Sequence, residues 1–168
     1  DGPENVHNEI RGIHDGYQKI ASGIKKITHA KEKFNKQRPL LCQVFTITDY
    51  SFPYLETIYE TTEDLGFEML LVKHPYFNNT RTGKNYETLM KKVFKCDAPS
   101  WQGWVTDETK IDTQIVQNSI SSLLLKKHEF KLAFFPAIKV SDIPQYYSTE
   151  EDNFYNGGKS KNKEQRCI

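Results

Sequence analysis

Hydrophobic residues recur with a heptad period over the first 36 residues of the chain. The apolar positions, separated by alternating steps of four and three, are Val6, Ile10, Ile13, Tyr17, Ile20, Ile24 and Ile27. This spacing is typical of a single apolar seam along an α-helix. Gly12, Gly16 and Gly23 each lower helix propensity by about 1 kcal/mol, so such a helix needs a surface to pack against. The sequence predicts a long helix over residues 1–36 that docks on this chain, on a second domain or on a second copy.

The next two apolar runs have the composition of β-strands. Residues 40–47 are almost continuously apolar, which is typical of a strand covered on both faces. Residues 67–72 form a second run of this kind. Between the runs, apolar residues at helical spacing predict a helix that Ser51 or Asp49 caps and that Gly66 ends. A strand, a helix and a strand in this order predict a βαβ unit with parallel strands.

The remaining pattern extends this unit into a Rossmann-like α/β domain over residues 37–148, with a mainly parallel sheet flanked by helices. Further apolar segments predict helices over 86–96 and from Asp107 or Thr109 to Lys127, a strand over 130–135 and a short strand over 101–106. Residues 149–168 are polar and rich in Gly and Lys, so we predict a flexible tail or linker there.

Composition and charge narrow the classes of function only slightly. With 23 basic and 22 acidic side chains, the 168-residue chain has a net charge of +1, so no global basic field attracts nucleic acid. The three cysteines include no C-x-x-C pair and favour a reducing compartment. We therefore expect a cytoplasmic protein in which Cys42 is buried. No apolar run approaches the roughly 18 residues that a membrane span requires.

Polar residues follow the predicted strands at the points where the strands end. In open parallel α/β sheets, ligands bind outside the carboxyl ends of the strands. The three segments that meet this condition are 46–51, 74–78 and 136–139. They offer a candidate ligand-binding set that consists of Thr46, Thr48, Asp49, Tyr50, Ser51, His74, Tyr76, Asn78 and Lys139. The alternative is that these are ordinary loop residues.

Motifs for specific chemistry are absent from the sequence. No G-x-G-x-x-G follows the first strand, and Thr82-Gly83-Lys84 lacks the upstream glycine of a phosphate-binding loop. Neither metal-ligand spacings of Cys and His nor a G-x-S-x-G elbow occurs. We therefore assign no cofactor, no metal and no catalytic residue. His74, alone at a strand end, is a candidate general base or phosphate contact, although such a residue more often caps or packs.

Residues 37–79 contain an ordered series of features. A strand leads into a loop with aromatic residues. Next come a helix with a Leu–Tyr pattern, a G-F-E sequence, and a second strand that is followed by Pro-Tyr. These features are residues 44–47, Tyr50 and Phe52, residues 55–59, Gly66-Phe67-Glu68 and Pro75-Tyr76. The series resembles the start of the N-terminal α/β domain of CDP-glycerol glycerophosphotransferase-like proteins, which include capsule and teichoic-acid polymer transferases. Residues 130–148 resemble a later strand of that domain with its proline-containing loop.

Transferases of this type have a two-domain GT-B architecture, and their donor site and catalytic residues lie mainly in the second domain. The resemblance therefore implies that this chain is an acceptor-side domain, not catalytically complete alone, for a polyol-phosphate or nucleotide-linked ligand. A rival hypothesis is a non-enzymatic sensory or interaction module, in which the heptad helix dimerises and the α/β domain binds a small ligand. Whether the chain is an enzyme is left open by the sequence.

Overall fold

A computed structural model describes residues 2–76, 80–103, 105 and 110–148. Within these ranges the chain forms helices and parallel strands, and it belongs to the mixed α/β class that the sequence predicts. In chain order the elements are α1 (Glu4–Arg11), α2 (Gly16–Lys33), β1 (Cys42–Thr46), α3 (Ile58–Asp64), β2 (Met69–Lys73), α4 (Thr80–Phe94), α5 (Thr113–Leu125), β3 (Lys131–Phe135) and α6 (Ile143–Tyr147). The predicted tail over 149–168 lies outside the described residues.

The chain divides into two compact units. The first unit comprises residues 1–75 and 110–141, and it contains the sheet with helices α1, α2, α3 and α5. The second unit comprises residues 76–109 and 142–168, and it contains α4 and α6. In the second unit Trp101 is buried against α4 at Gly83, where an added Cβ would lie 2.0 Å from the Trp101 ring. Only a glycine therefore fits at that position of α4.

The three strands form one parallel sheet in the order β1-β2-β3. Thr46 of β1 is in register with Lys73 of β2, which is in register with Phe135 of β3. The predicted parallel βαβ unit is confirmed. Gly66 ends α3 with a φ of +70°, and its N–H donates to the Glu63 carbonyl at 2.9 Å. A residue without a Cβ adopts this left-handed conformation with little strain, which is why the sequence signal was reliable.

Only one face of the sheet is buried. Phe45 and Val72, which are register partners, are fully buried, whereas Val44 is 48% exposed and Cys42 is exposed. Both crossovers step in the same direction along the sheet, and right-handed connections then bring their helices to the same face. The predictions that the first strand is covered on both faces and that Cys42 is buried are therefore wrong.

Helix α5 supplies much of the apolar cover in the first unit. Val116, Ile120 and Leu123 recur at helical spacing and are almost completely buried. Burying each such side chain contributes about 1.5–3 kcal/mol. The helix begins at Thr113 because the carboxylate of Asp112 accepts the N–H groups of residues 114 and 115, at 2.9 and 3.2 Å. The cap is thus Asp112, and not Asp107 or Thr109, which lie outside the described residues.

The N-terminal region forms two helices where the sequence predicts one. Helix α1 ends at Gly12, which has a φ of +62° and donates its N–H to the Glu9 carbonyl at 3.1 Å. The side chain of Asn8 bridges the break, because its amide group donates to the His14 carbonyl and accepts the Tyr17 N–H, both at 2.8 Å. A left-handed glycine together with a side chain that satisfies the turn ends the helix despite the continuous heptad pattern.

Glu68 connects α2 with all three strands at the amino-terminal edge of the sheet. Its carboxylate accepts the Lys31 ammonium at 2.7 Å and the Leu41 N–H at 2.9 Å. Its backbone N–H donates to the Leu41 carbonyl at 2.9 Å, and its carbonyl accepts the Lys131 N–H at 3.0 Å. The hydrogen bonds from Lys31 and then from Leu41 lower the pKa of the Glu68 carboxyl. This single residue therefore joins four elements.

We predict that the Lys31–Glu68 ion pair contributes measurably to stability. A double-mutant cycle with Lys31→Met and Glu68→Gln isolates the charge interaction, since the Gln oxygen still accepts the Leu41 N–H. The Lys31 side chain is 15% exposed and that of Glu68 is 35% exposed, so the pair is less accessible to water than an open surface pair. We therefore expect a coupling free energy of about 1 kcal/mol in urea unfolding. The exposed Lys19–Asp15 pair, at 2.8 Å, is the matched control. Its coupling, from Lys19→Met and Asp15→Asn, should be below about 0.5 kcal/mol, and equal couplings would contradict the prediction.

Candidate functional site

The carboxyl ends of the three strands lie side by side in the first unit. Thr46, Lys73 and Phe135 are the last residues of their strands and are register partners. The segments that follow them are 47–51, His74 and 136–139. We call this region the carboxyl edge. Of the predicted ligand-binding residues, the carboxyl edge carries Thr46, Thr48, Asp49, Tyr50, Ser51, His74 and Lys139.

The loop after β1 is fixed by its own polar groups. The Ser51 hydroxyl donates to the Thr46 carbonyl at 2.6 Å and accepts the Thr48 N–H at 2.9 Å. The Ser51 N–H donates to the Thr48 carbonyl at 3.2 Å, and Ser51 is buried. Ser51 therefore closes the loop, and its side chain does not cap the following helix as the sequence suggested. Because its hydroxyl bonds to the backbone, no general base activates it as a nucleophile.

Asp49 ties this loop to the segment that leads into α5. Its carboxylate accepts the Lys110 N–H at 3.0 Å, across a long separation in sequence. This contact belongs to the first unit, like the loop itself. Tyr50, the next residue, is exposed and extends from the loop into solvent. The loop therefore presents an anchored carboxylate and an accessible phenol at the carboxyl edge.

His74 lies at the end of β2 and is buried. Its backbone N–H donates to the Phe135 carbonyl at 2.8 Å, which continues the β2–β3 ladder one residue beyond the strand. Burial lowers the pKa of His74 from 6.5 to about 4. The ring is therefore neutral near pH 7 and lacks the positive charge that would attract a phosphate.

The remaining candidates have different positions. Lys139 is exposed in the segment after β3, and the carbonyl of the next residue, Val140, accepts the Gln117 side-chain amide at 2.8 Å. Tyr76 is exposed and belongs to the second unit, so it is described apart from the carboxyl edge. Asn78 lies outside the described residues. The structure therefore groups the candidates of the first unit at one edge of the sheet.

Sequence reasoning missed one cation at the carboxyl edge. Lys73 is the last residue of β2, half-buried, and its carbonyl accepts the Ile47 N–H at 2.9 Å. The register places its side chain on the same sheet face as that of Thr46. A signal was present, since Lys73 is the first charged residue after the apolar run of the second strand. The carboxyl edge therefore has two lysines, Lys73 and Lys139, beside hydroxyl and carboxylate groups.

Searches for other kinds of site and for relatives added no candidate. Across the described residues, no group of three or more His, Cys, Asp or Glu side chains is arranged to hold a metal ion. Within the same ranges, none of the helices combines the length and the hydropathy that crossing a bilayer requires. Comparison with models of known protein families, with functionally described proteins and with solved structures gave no match to this chain.

We predict that His74 makes the stability of the protein depend on pH. The unfolded chain takes up a proton on this residue near pH 6.5, whereas the folded chain resists protonation down to about pH 4. The stabilising contribution is therefore complete above pH 6.5 and is lost as the pH falls towards 4. Between pH 7.5 and 4.5 the loss should be roughly 2–3 kcal/mol.

Urea unfolding of the wild type and of the His74→Gln variant at the two pH values measures this contribution. The variant should lose less stability on acidification than the wild type, because its side chain does not titrate. His29→Gln, at an exposed position of α2, is the control and should behave as the wild type does. An unchanged pH dependence in His74→Gln would show that other groups cause the acid sensitivity.

Proposed function

We propose that the first unit is a Rossmann-like ligand-binding domain whose carboxyl edge receives a polyol-phosphate or nucleotide-linked ligand. The observation that carries the proposal is the grouping of charged and hydroxyl side chains where three parallel strands end. The order β1-β2-β3 is that of one βαβαβ half of a doubly wound sheet. In such folds the ligand lies outside the carboxyl ends of the strands.

The chemistry of the carboxyl edge favours an anionic ligand that also carries hydroxyl groups. Lys73 and Lys139 supply ammonium groups for a phosphate, whose oxygens form strong charge-assisted hydrogen bonds. Asp49 and Tyr50 supply groups that accept or donate hydrogen bonds to hydroxyls. His74 is buried and neutral, so it adds no positive charge to the edge. A polyol phosphate combines the two kinds of group that these side chains bind.

We further propose that this domain is the acceptor-side part of a GT-B-like surface-polymer glycerophosphotransferase or glycosyltransferase. The resemblance of residues 37–79 and 130–148 to that family supports the assignment. The Ser51 hydroxyl donates to the Thr46 carbonyl, so it is part of the loop framework rather than a poised nucleophile. A domain that binds the acceptor while a second domain supplies the donor and the catalytic groups is consistent with this arrangement.

A cytoplasmic location is part of the proposal. Cys42 and Cys96 are exposed thiols, and among the described cysteines neither forms a disulfide. Exposed thiols persist in a reducing compartment, whereas oxidising compartments favour disulfides. Phosphorylated and nucleotide-linked ligands of the proposed class would be met there before they are assembled into a surface polymer.

The alternative function is a non-enzymatic sensory or interaction module that binds a small ligand at the same edge. The observation in its favour is that the loop after β1 is held by internal hydrogen bonds and by Asp49, which contacts the segment before α5. A ligand that competes for the Asp49 carboxylate would move that segment. Binding would then be converted into a conformational signal without any reaction.

We predict that glycerol 3-phosphate binds at the carboxyl edge of the full chain. In a titration followed by amide chemical shifts, residues 48–51, His74 and 137–139 should move. Free glycerol lacks the phosphate and should bind more weakly. Lys139→Gln should weaken binding about fivefold to tenfold, because a charge-assisted hydrogen bond contributes about 1–1.5 kcal/mol in a partly exposed setting.

Lys127→Gln is the matched control, since Lys127 is an exposed lysine that follows α5 in the same unit. It should leave the affinity unchanged. Shifts confined to other regions, with the three segments silent, would refute the assignment of the site. Equal weakening by Lys139→Gln and Lys127→Gln would indicate nonspecific charge attraction.

A further inference from the structure

Helix α2 divides its heptad seam into two rows with different environments. The inner row consists of Tyr17, Ile24 and Lys31 and faces the rest of the first unit. Ile24 is buried, and Lys31 pairs with Glu68. The outer row consists of Ile20 and Ile27 in α2 and Phe34 directly after it, which repeat every seven residues and are between 37% and 64% exposed. The first unit therefore uses half of the seam and leaves the other half in contact with solvent.

Lysines accompany the outer row with the same period. Lys19, Lys26 and Lys33 directly precede Ile20, Ile27 and Phe34, and all three lysines are exposed. Consecutive residues of an α-helix are about 100° apart around its axis, so the lysines form a row beside the apolar one. The rows are separated by a shallow strip at Gly23, where nothing lies within 4 Å of the position of an added Cβ.

The positive charge of this helix is not a property of the whole chain. Residues 16–36 hold six lysines and one glutamate, whereas the complete chain has a net charge of only +1. The rest of the chain is therefore net negative. A local cationic field combined with a parallel apolar row is typical of helices that lie in the interface of a bilayer with their axes parallel to it.

We propose that α2 is a docking surface for an anionic lipid bilayer. The outer row enters the boundary between headgroups and acyl chains, and the lysine row contacts the anionic headgroups. Each lysine near such a surface contributes about 1 kcal/mol. The helix lies on the bilayer with its axis parallel to the surface. This inference does not depend on the proposed ligand site.

Two other occupants fit the surface less well. A nucleic acid would bind the lysines but would leave the isoleucines of the outer row without an apolar partner. A second copy of this chain would bring two lysine-rich helices together. Their like charges would repel each other across the contact. A bilayer provides a partner for both rows, because its anionic headgroups bind the lysines and its acyl-chain boundary takes up the apolar side chains.

The test is co-sedimentation of the full chain with vesicles of phosphatidylcholine, with or without phosphatidylglycerol. The wild type should partition onto the anionic vesicles, should not partition onto the neutral ones, and should be released as salt is added. Lys26→Gln combined with Lys33→Gln should weaken partitioning about 30-fold, which corresponds to about 1 kcal/mol for each lysine. Ile20→Ser combined with Ile27→Ser should weaken it at least about tenfold.

Matched controls lie elsewhere on the first unit. Leu125→Ser removes a more exposed apolar side chain, and Lys127→Gln removes an exposed lysine, so neither should change partitioning. The substituted positions are exposed, and thermal unfolding of each variant verifies the fold. The salt dependence and lipid preference of the wild type test the proposal without any variant.

Several results would overturn the proposal. These are equal binding to neutral and anionic vesicles, no binding to either, or losses in the control variants as large as those in the α2 variants. A wild-type dimer that becomes monomeric in the Ile20→Ser and Ile27→Ser variant, without vesicle binding, would assign the surface to a second copy. Binding to duplex DNA or RNA that depends on the lysines but not on the isoleucines would assign it to nucleic acid.

Discussion

The first unit depends on the hydrogen bonds that converge on Glu68. Its backbone joins the beginning of β2 to both neighbouring strands, and its carboxylate adds the Leu41 N–H and the Lys31 ammonium. Fixing the register at the amino-terminal edge also fixes it at the other end of these short strands. Thr46, Lys73 and Phe135 are therefore aligned, and the candidate ligand-binding residues of the first unit follow from that alignment.

The same ion pair lies on one row of α2. Lys31 pairs with Glu68, and Ile24 on the same row is buried, so this row faces the rest of the first unit. The neighbouring row, which contains Ile20 and Ile27, faces solvent. The packing that joins α2 to the sheet therefore also leaves a cationic apolar surface exposed.

The sequence predicted the parts of the fold that depend on interactions between residues close together along the chain. The parallel βαβ unit and the end of α3 at Gly66 follow from apolar runs and from one left-handed glycine. The exposure of Val44 could not be read from its apolar run, because it depends on which face the crossover helices cover. Similarly, Ser51 does not cap the helix because its hydroxyl oxygen accepts the Thr48 N–H and its proton goes to the Thr46 carbonyl. The position of the candidate site followed from topology, whereas the burial of His74 required the packed structure.

The two proposed surfaces can be occupied together. Lys31, near the end of α2, contacts the amino-terminal edge of the sheet through Glu68. The carboxyl edge lies at the opposite end of strands that are five residues long, a distance of about 16 Å at the usual rise of a strand. At Lys31, therefore, a bilayer bound to the outer row lies about one strand length away from the ligand site. No residue of the outer row belongs to the carboxyl edge, so the ligand and the bilayer share no contact for which to compete and their affinities should be independent.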